Sequence, residues 1–267
     1  MKELGMIFLS SGRTPYLKAT IGSILKSKVD LTQFDIHVVA NYPLADYEFI
    51  KKNANFSLHI VGDTSHPGLI KYAFNLGLKY ENCFFIEEDW LFNKKLSTND
   101  LHLLLKIQNI RQFVFSKHRL GHETESSNVW GSPKSIKIDG WESQVLKLDT
   151  YFSLNPTLVK REVLQEVCNN FDWLQPNNSG PFLEMNLNRF LKEKFGPTVL
   201  IPNNPKFNVK HLGILTGTKY FKMIKENHEG KALFIMQIHS ILLKFKNSNF
   251  LLRKIYIPNK YTKFLER

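Results

Sequence analysis

Apolar runs of strand length alternate with apolar stripes of helical spacing over the first 90 residues. Residues 6–10 read as a strand, and Thr14-Pro15 then gives a helix start, an N-cap followed by Pro at N1. Leu17, Ile21, Ile24 and Leu25 supply the apolar stripe of that helix. A strand at 35–41 precedes a helical stretch near 46–53, and a third strand at 57–61 ends in the turn-rich run Gly62-Asp63-Thr64-Ser65-His66-Pro67-Gly68. A helix at 69–79 leads back to a fourth strand at 82–86. This alternation predicts an α/β fold built on a mainly parallel, doubly wound sheet. Such sheets bind ligands beyond the carboxyl ends of their strands. Residues 11–13, 62–66 and 87–89 all fall there.

The pattern after residue 90 is less regular. A helix is expected near 100–109, a strand at 112–117 and a polar loop at 118–133. Short strands are expected within 136–148 and at 151–154. Asn155-Pro156 repeats the cap logic of Thr14-Pro15 and predicts a helix to about 169. The turn Asn177-Asn178-Ser179-Gly180-Pro181 opens a helix at 182–195, and strands near 198–201 and 207–211 close the core. No internal repeat or low-complexity linker interrupts the chain. The expected organisation is a catalytic domain over 1–215 and a basic helical extension over 216–267 packed on it.

The fourth strand carries the first chemistry. Cys83-Phe84-Phe85-Ile86 runs straight into Glu87-Glu88-Asp89. Strand alternation would point Glu87 and Asp89 one way and Glu88 the other. Two like charges ~4 Å apart repel by roughly 4 kcal/mol at an effective dielectric of 20. Three carboxylates at a strand end therefore need a cation, a basic partner or raised pKa values. Hard oxygen ligands suit Mg²⁺ or Mn²⁺ carrying a phosphorylated ligand. Taken alone, the run is equally a solvated acidic loop.

At 267 residues and 43% hydrophobic composition, the chain can bury a sizeable core. No window reaches the roughly 18 apolar residues of a spanning helix, and the N-terminus has no signal-peptide core. Cys83 and Cys168 sit in apolar segments without metal-ligand spacing, which fits a reducing, cytosolic compartment. The net charge of +12 is uneven. Residues 206–267 hold 13 Lys/Arg against Glu226, Glu229 and Glu266, a net of +10, leaving +2 for the first 205. Such a tail suits an anionic membrane, nucleic acid or an acidic substrate, or a plainly solvated surface. The apolar segments 232–238 and 241–243 within it lack a clean amphipathic face.

Five segments in this order resemble GT-A glycosyltransferases of the family-2-like kind. Ile7-Phe8-Leu9-Ser10-Ser11-Gly12-Arg13-Thr14-Pro15-Tyr16-Leu17 is similar to the opening strand and nucleotide loop. Pro67-Gly68-Leu69-Ile70-Lys71-Tyr72-Ala73-Phe74-Asn75-Leu76-Gly77 is similar to the helix before the metal motif. Ile86-Glu87-Glu88-Asp89-Trp90 stands where that family has its acidic triplet, here Glu-Glu-Asp without the Asp-x-Asp form. Phe152-Ser153-Leu154-Asn155-Pro156-Thr157-Leu158 resembles the acceptor-side strand and following helix, and Lys210-His211-Leu212-Gly213 a late His-apolar-Gly element. The resemblance covers roughly residues 5–215.

It implies a GT-A-like catalytic domain that moves a sugar from a nucleotide-sugar donor to a glycan or lipid-linked glycan, with inversion, as in polysaccharide biosynthesis. It implies Mn²⁺ or Mg²⁺ held by Asp89 with His211 as a further ligand. Ser11, Gly12, Arg13, Asp63, Lys71, Glu87 and Glu88 are then the donor-side candidates. Glu184, in the first turn of its helix, is the candidate general base, with Asp139, Glu142 and Asp172 as weaker rivals. His118 and His122 flank Gly121 and make a poor zinc pair. Trp130, Trp141 and Tyr151 are stacking candidates for an acceptor sugar as well as core residues. A cytoplasmic enzyme, peripheral on the inner face of a membrane through its basic tail, fits these features. Two rivals stand beside it: a metal-dependent nucleic-acid protein, and an inactive sugar-binding module of the same fold. No nucleic-acid motif is present, and the basic charge lies apart from the acids, so nucleic acid is not the expected partner.

Overall fold

The computed structural model describes residues 3–41, 47–53, 55–62, 65–107, 110–115, 134–136, 145–148, 154, 156–175, 181–195, 199–202, 205–207 and 209–211. Its centre is a nine-stranded mixed sheet. The strands are β1 (Leu4–Ser10), β2 (Phe34–Ala40), β3 (Phe56–Ile60), β4 (Asn82–Glu87), β6 (Gln112–Val114), β7 (Lys134–Ile136), β8 (Val145–Leu148), β9 (Thr157–Lys160) and β10 (Val199–Pro202). Their order is β3-β2-β1-β4-β9-β6-β10-β8-β7. A two-stranded ribbon joins β5 (Trp90–Leu91) to β11 (Lys210–His211). The helices are α1 (Thr14–Leu25), α2 (Glu48–Lys51), α3 (His66–Gly77), α4 (Thr98–Leu105), α5 (Arg161–Asn170) and α6 (Pro181–Phe195).

The parallel half, β3-β2-β1-β4, explains where a ligand can enter. The chain lays β2 and β3 to one side of β1 and then returns to place β4 on the other, so the order reverses between β1 and β4. That switch point opens a crevice at the carboxyl ends of both strands. All seven residues of β1 are buried, as a central strand covered on both faces requires. Met6 and Phe8 pack toward α1, α2 and α4, while Ile7 and Leu9 pack toward α3, α5 and α6. The α/β class and the doubly wound sheet expected from the sequence are both present, with antiparallel pairings added by β9, β8 and β7.

Two elements differ from the expectation. Residues 155–169 are not one helix, because Thr157–Lys160 forms β9 and the helix starts only at Arg161. The run Thr157-Leu158-Val159 is buried between β4 and β6 and pairs with both, which overrides the Asn-Pro cap signal. Arg13, rather than Thr14, caps α1. Leu25 is 58% exposed, so the buried face of α1 is Tyr16, Leu17, Thr20, Ile21 and Ile24. The expected tail over 216–267, the loop at 118–133 with its histidines and Trp130, and Asp139, Trp141, Glu142 and Tyr151 lie outside the described residues.

Candidate active site

The acidic run leaves its strand before the third acid. Glu87 ends β4, Glu88 and Asp89 form a turn, and Trp90 begins β5. Leu9 of β1 pairs with Glu87, so the turn faces the loop that follows β1. That loop folds around Glu88. One carboxylate oxygen accepts from Ser10 Oγ at 2.6 Å and the Arg13 backbone N–H at 3.2 Å. The other accepts from Ser11 Oγ and from Arg13 Nε at 2.7 Å. With four donors and 1% exposure, Glu88 faces the backbone and the basic side chain of the loop and shapes it from within. Gly12, at φ 90°, makes the left-handed turn that brings its N–H to Ser10 Oγ at 3.1 Å.

Arg13 reaches across to Asp89 as well, Nη2 to Oδ2 at 3.0 Å, and lies over the Tyr16 ring. Burial alone would pull its guanidinium down. The carboxylates of Glu88 and Asp89 outweigh that and hold it above its ordinary range. One buried cation thus bridges two carboxylates.

Glu87 completes the acidic corner. Burial of its carboxyl, and after it the negative charges of Asp89 and Glu184, push it up to about 8, although Trp90 Nε1 donates to it at 3.3 Å and Arg13 opposes the shift. Glu184, on the first turn of α6, is therefore close enough to be felt by the strand-end acids. Its Oε1 accepts the Leu154 backbone N–H at 2.5 Å, which ties α6 to the segment before β9. The structure brings together Ser11, Gly12, Arg13, Glu87, Glu88, Asp89 and Glu184. Lys71 stands exposed on α3, where its charge acts on Cys168 of α5, and it is not among the charges acting on Glu87. Asp172, a weaker rival for the base, accepts the Leu174 backbone N–H within its own turn. Asp63 lies outside the described residues. The backbone of His211 pairs with Trp90, one residue from Asp89.

Sequence reasoning missed two polar residues here. Thr20 interrupts the apolar stripe of α1, and that interruption was the available signal. Asn41 follows β2 directly. It is 8% exposed, its N–H donates to Ser10 O at 3.3 Å, and its Oδ1 is buried without a hydrogen-bond partner among the described residues. Val61 donates to Ala40 O beside it, and Gly62, at φ 79°, has no described residue within 4 Å of where a Cβ would stand.

No family model matches the chain, and no curated protein matches it by sequence. Solved structures do match. The 1–349 fragment of S. aureus TarS is 10% identical, with a TM-score of 0.49 over 74% of this chain and 57% of that one. The same fragment in complex with UDP-GlcNAc is 11% identical, with a TM-score of 0.47 over 91% and 67%. The mannosyltransferase PcManGT from Pyrobaculum calidifontis, in complex with GDP-Man and Mn²⁺, is 14% identical, with a TM-score of 0.47 over 76% and 57%. This chain thus spans little more than half the length of two of these three structures.

The donor set suits a hard divalent cation. Glu87, Asp89 and Glu184 gather three carboxyl groups at this corner, and a cation there would favour the charged form that burial and neighbouring acids disfavour in Glu87. Among the described residues no three His, Cys, Asp or Glu side chains close a complete site. Mg²⁺-type ions are commonly held by one or two carboxylates together with substrate phosphates, so a complete protein cage is not required.

Proposed function

We propose that the chain is a nucleotide-sugar-dependent glycosyltransferase whose donor site is the β1–β4 crevice. The observation that carries this reading is the convergence of the Ser11–Arg13 loop, Glu87, Asp89 and Glu184 at the topological switch point. The resemblance of the sequence to GT-A enzymes supports it. Asp89, with His211 as second candidate ligand, would hold Mn²⁺ or Mg²⁺, which supplies charge neutralisation for a departing diphosphate.

Each residue then has a task. Gly12 lets the loop backbone approach the phosphates closely, and Arg13 places a buried positive charge beside them. Glu184 takes the proton from an acceptor hydroxyl. The hydroxyl oxygen bonds to the anomeric carbon as the bond from that carbon to the diphosphate oxygen breaks on the opposite face, so the configuration inverts. The acceptor is a glycan or lipid-linked glycan. The basic C-terminal sequence favours action at an anionic membrane surface, on the cytoplasmic side.

The test is a thermal-shift panel of UDP-, GDP-, CDP- and TDP-sugars, each with Mn²⁺ and with EDTA. A ligand at 100 times its dissociation constant stabilises a fold by about 2.7 kcal/mol, a readily measured shift. One nucleotide class stabilising only with metal is the expected result. Stabilisation by none of the donors would overturn the reading.

A further inference from the structure

Asp89 lies between the Glu88 carbonyl and the Trp90 N–H, and a single hydroxyl bonds both. Thr20 Oγ1 donates to Glu88 O at 2.6 Å and accepts from Trp90 N at 3.2 Å. The pattern repeats one turn along α1, where Ser23 Oγ accepts from Phe92 N at 3.0 Å and donates to Thr20 O at 2.7 Å. Thr20 is fully buried on the face of α1 that packs against the core.

We propose that Thr20 is a positioning residue for the carboxylate turn, setting how tightly Asp89 engages a divalent cation and the diphosphate it carries. The role rests on the donor site proposed above. Asp89 is bracketed by two peptide groups pinned to one side-chain atom, so a displacement of that atom carries the carboxylate with it. The same helix is capped by Arg13, which holds the Asp89 side chain directly. Helix α1 therefore fixes Asp89 from both backbone and side chain. The atom must donate and accept at once, which a hydroxyl does well and a methyl cannot.

The experiment compares wild type, Thr20→Val and Thr20→Ser. Mn²⁺ binding is followed by the EPR signal of free ion, and binding of the stabilising nucleoside diphosphate by calorimetry. Valine keeps the shape of threonine and removes both hydrogen bonds, while serine keeps them. Thr20→Val is expected to weaken metal and metal-dependent nucleotide binding about 10–100-fold, the range seen when groups that orient metal ligands are removed. Thr20→Ser is expected to restore both. A lowered melting temperature with wild-type affinities in Thr20→Val would overturn the proposal, since Thr20 would then serve stability alone. Equal weakening in both variants would overturn it as well, pointing to packing. Wild type that binds no nucleotide removes the donor site itself and this role with it. Should Thr20→Val fail to fold, Thr20→Cys carries the same comparison with a weak donor and acceptor in place of the hydroxyl.

Discussion

Glutamine at position 184 would keep a carbonyl oxygen for the Leu154 N–H but could not take up a proton in the working pH range. Glu184→Gln is therefore expected to fold normally, bind donor as wild type does and lose about 10²–10⁴-fold in transfer rate. Activity within a few-fold of wild type, measured by product formation at saturating donor, would move the base elsewhere. Asn41 gives a different signature. Its buried Oδ1 has no hydrogen-bond partner among the described residues, and an unsatisfied buried acceptor costs about 1–3 kcal/mol, so Asn41→Leu should leave the protein as stable as wild type or more so. A clearly lowered melting temperature would mean that the amide is bonded within the fold. Arg13→Leu should cost about 3–5 kcal/mol in a urea titration, because it strands two buried carboxylates. The acids themselves were legible in the sequence. Their pairing was not, since Arg13 and Glu88 are 75 positions apart and only the β1–β4 register brings them together.

At the scale of elements, the β2–β3 edge carries a line of polar rings that no periodicity shows. His37 Nδ1 meets His59 Nε2 at 3.0 Å, His37 Nε2 meets Tyr80 OH at 2.5 Å, and His59 Nδ1 meets Tyr72 OH at 3.1 Å. Burial first, then the neighbouring His59, lowers His37 from 6.5 to about 4. Between these values the unfolded chain binds a proton that the folded chain refuses. Stability is thus complete above pH 6.5, declines as pH falls toward 4 and levels off below it. Solvent near the sheet edge reduces the effect to about 1–2 kcal/mol. His37→Gln should flatten the fall in melting temperature between pH 7 and pH 5, and an unchanged slope would assign the fall to other groups. Elements whose periodicity matches their burial, such as α1, α3 and β1, were readable from sequence. β9 was not, because its two partners, β4 and β6, decide its conformation and the local Asn-Pro signal argues the other way.

Charge is the property of the whole molecule that local geometry leaves unexplained. The first 205 residues are nearly balanced and hold the acidic crevice, whereas residues 206–267 carry +10. A basic segment this dense, if presented to a surface, adds about 1 kcal/mol of attraction per Lys or Arg near anionic lipid. The full chain should therefore co-sediment with vesicles containing phosphatidylserine and not with purely phosphatidylcholine vesicles. Binding should fall steeply as salt rises, because the screening length shrinks from about 10 Å at 0.1 M to about 3 Å at 1 M. Equal binding to both vesicle types would make the attraction apolar, and no binding at low salt would reduce the tail to a solvated surface. Tight, salt-sensitive binding of an oligonucleotide in place of vesicles would favour the nucleic-acid alternative, whose slope against salt reports the number of phosphates contacted. The donor panel and the vesicle assay address separate parts of the chain. Metal-dependent nucleotide stabilisation together with selective binding to anionic vesicles would place sugar transfer at a membrane surface, where a lipid-linked acceptor is within reach.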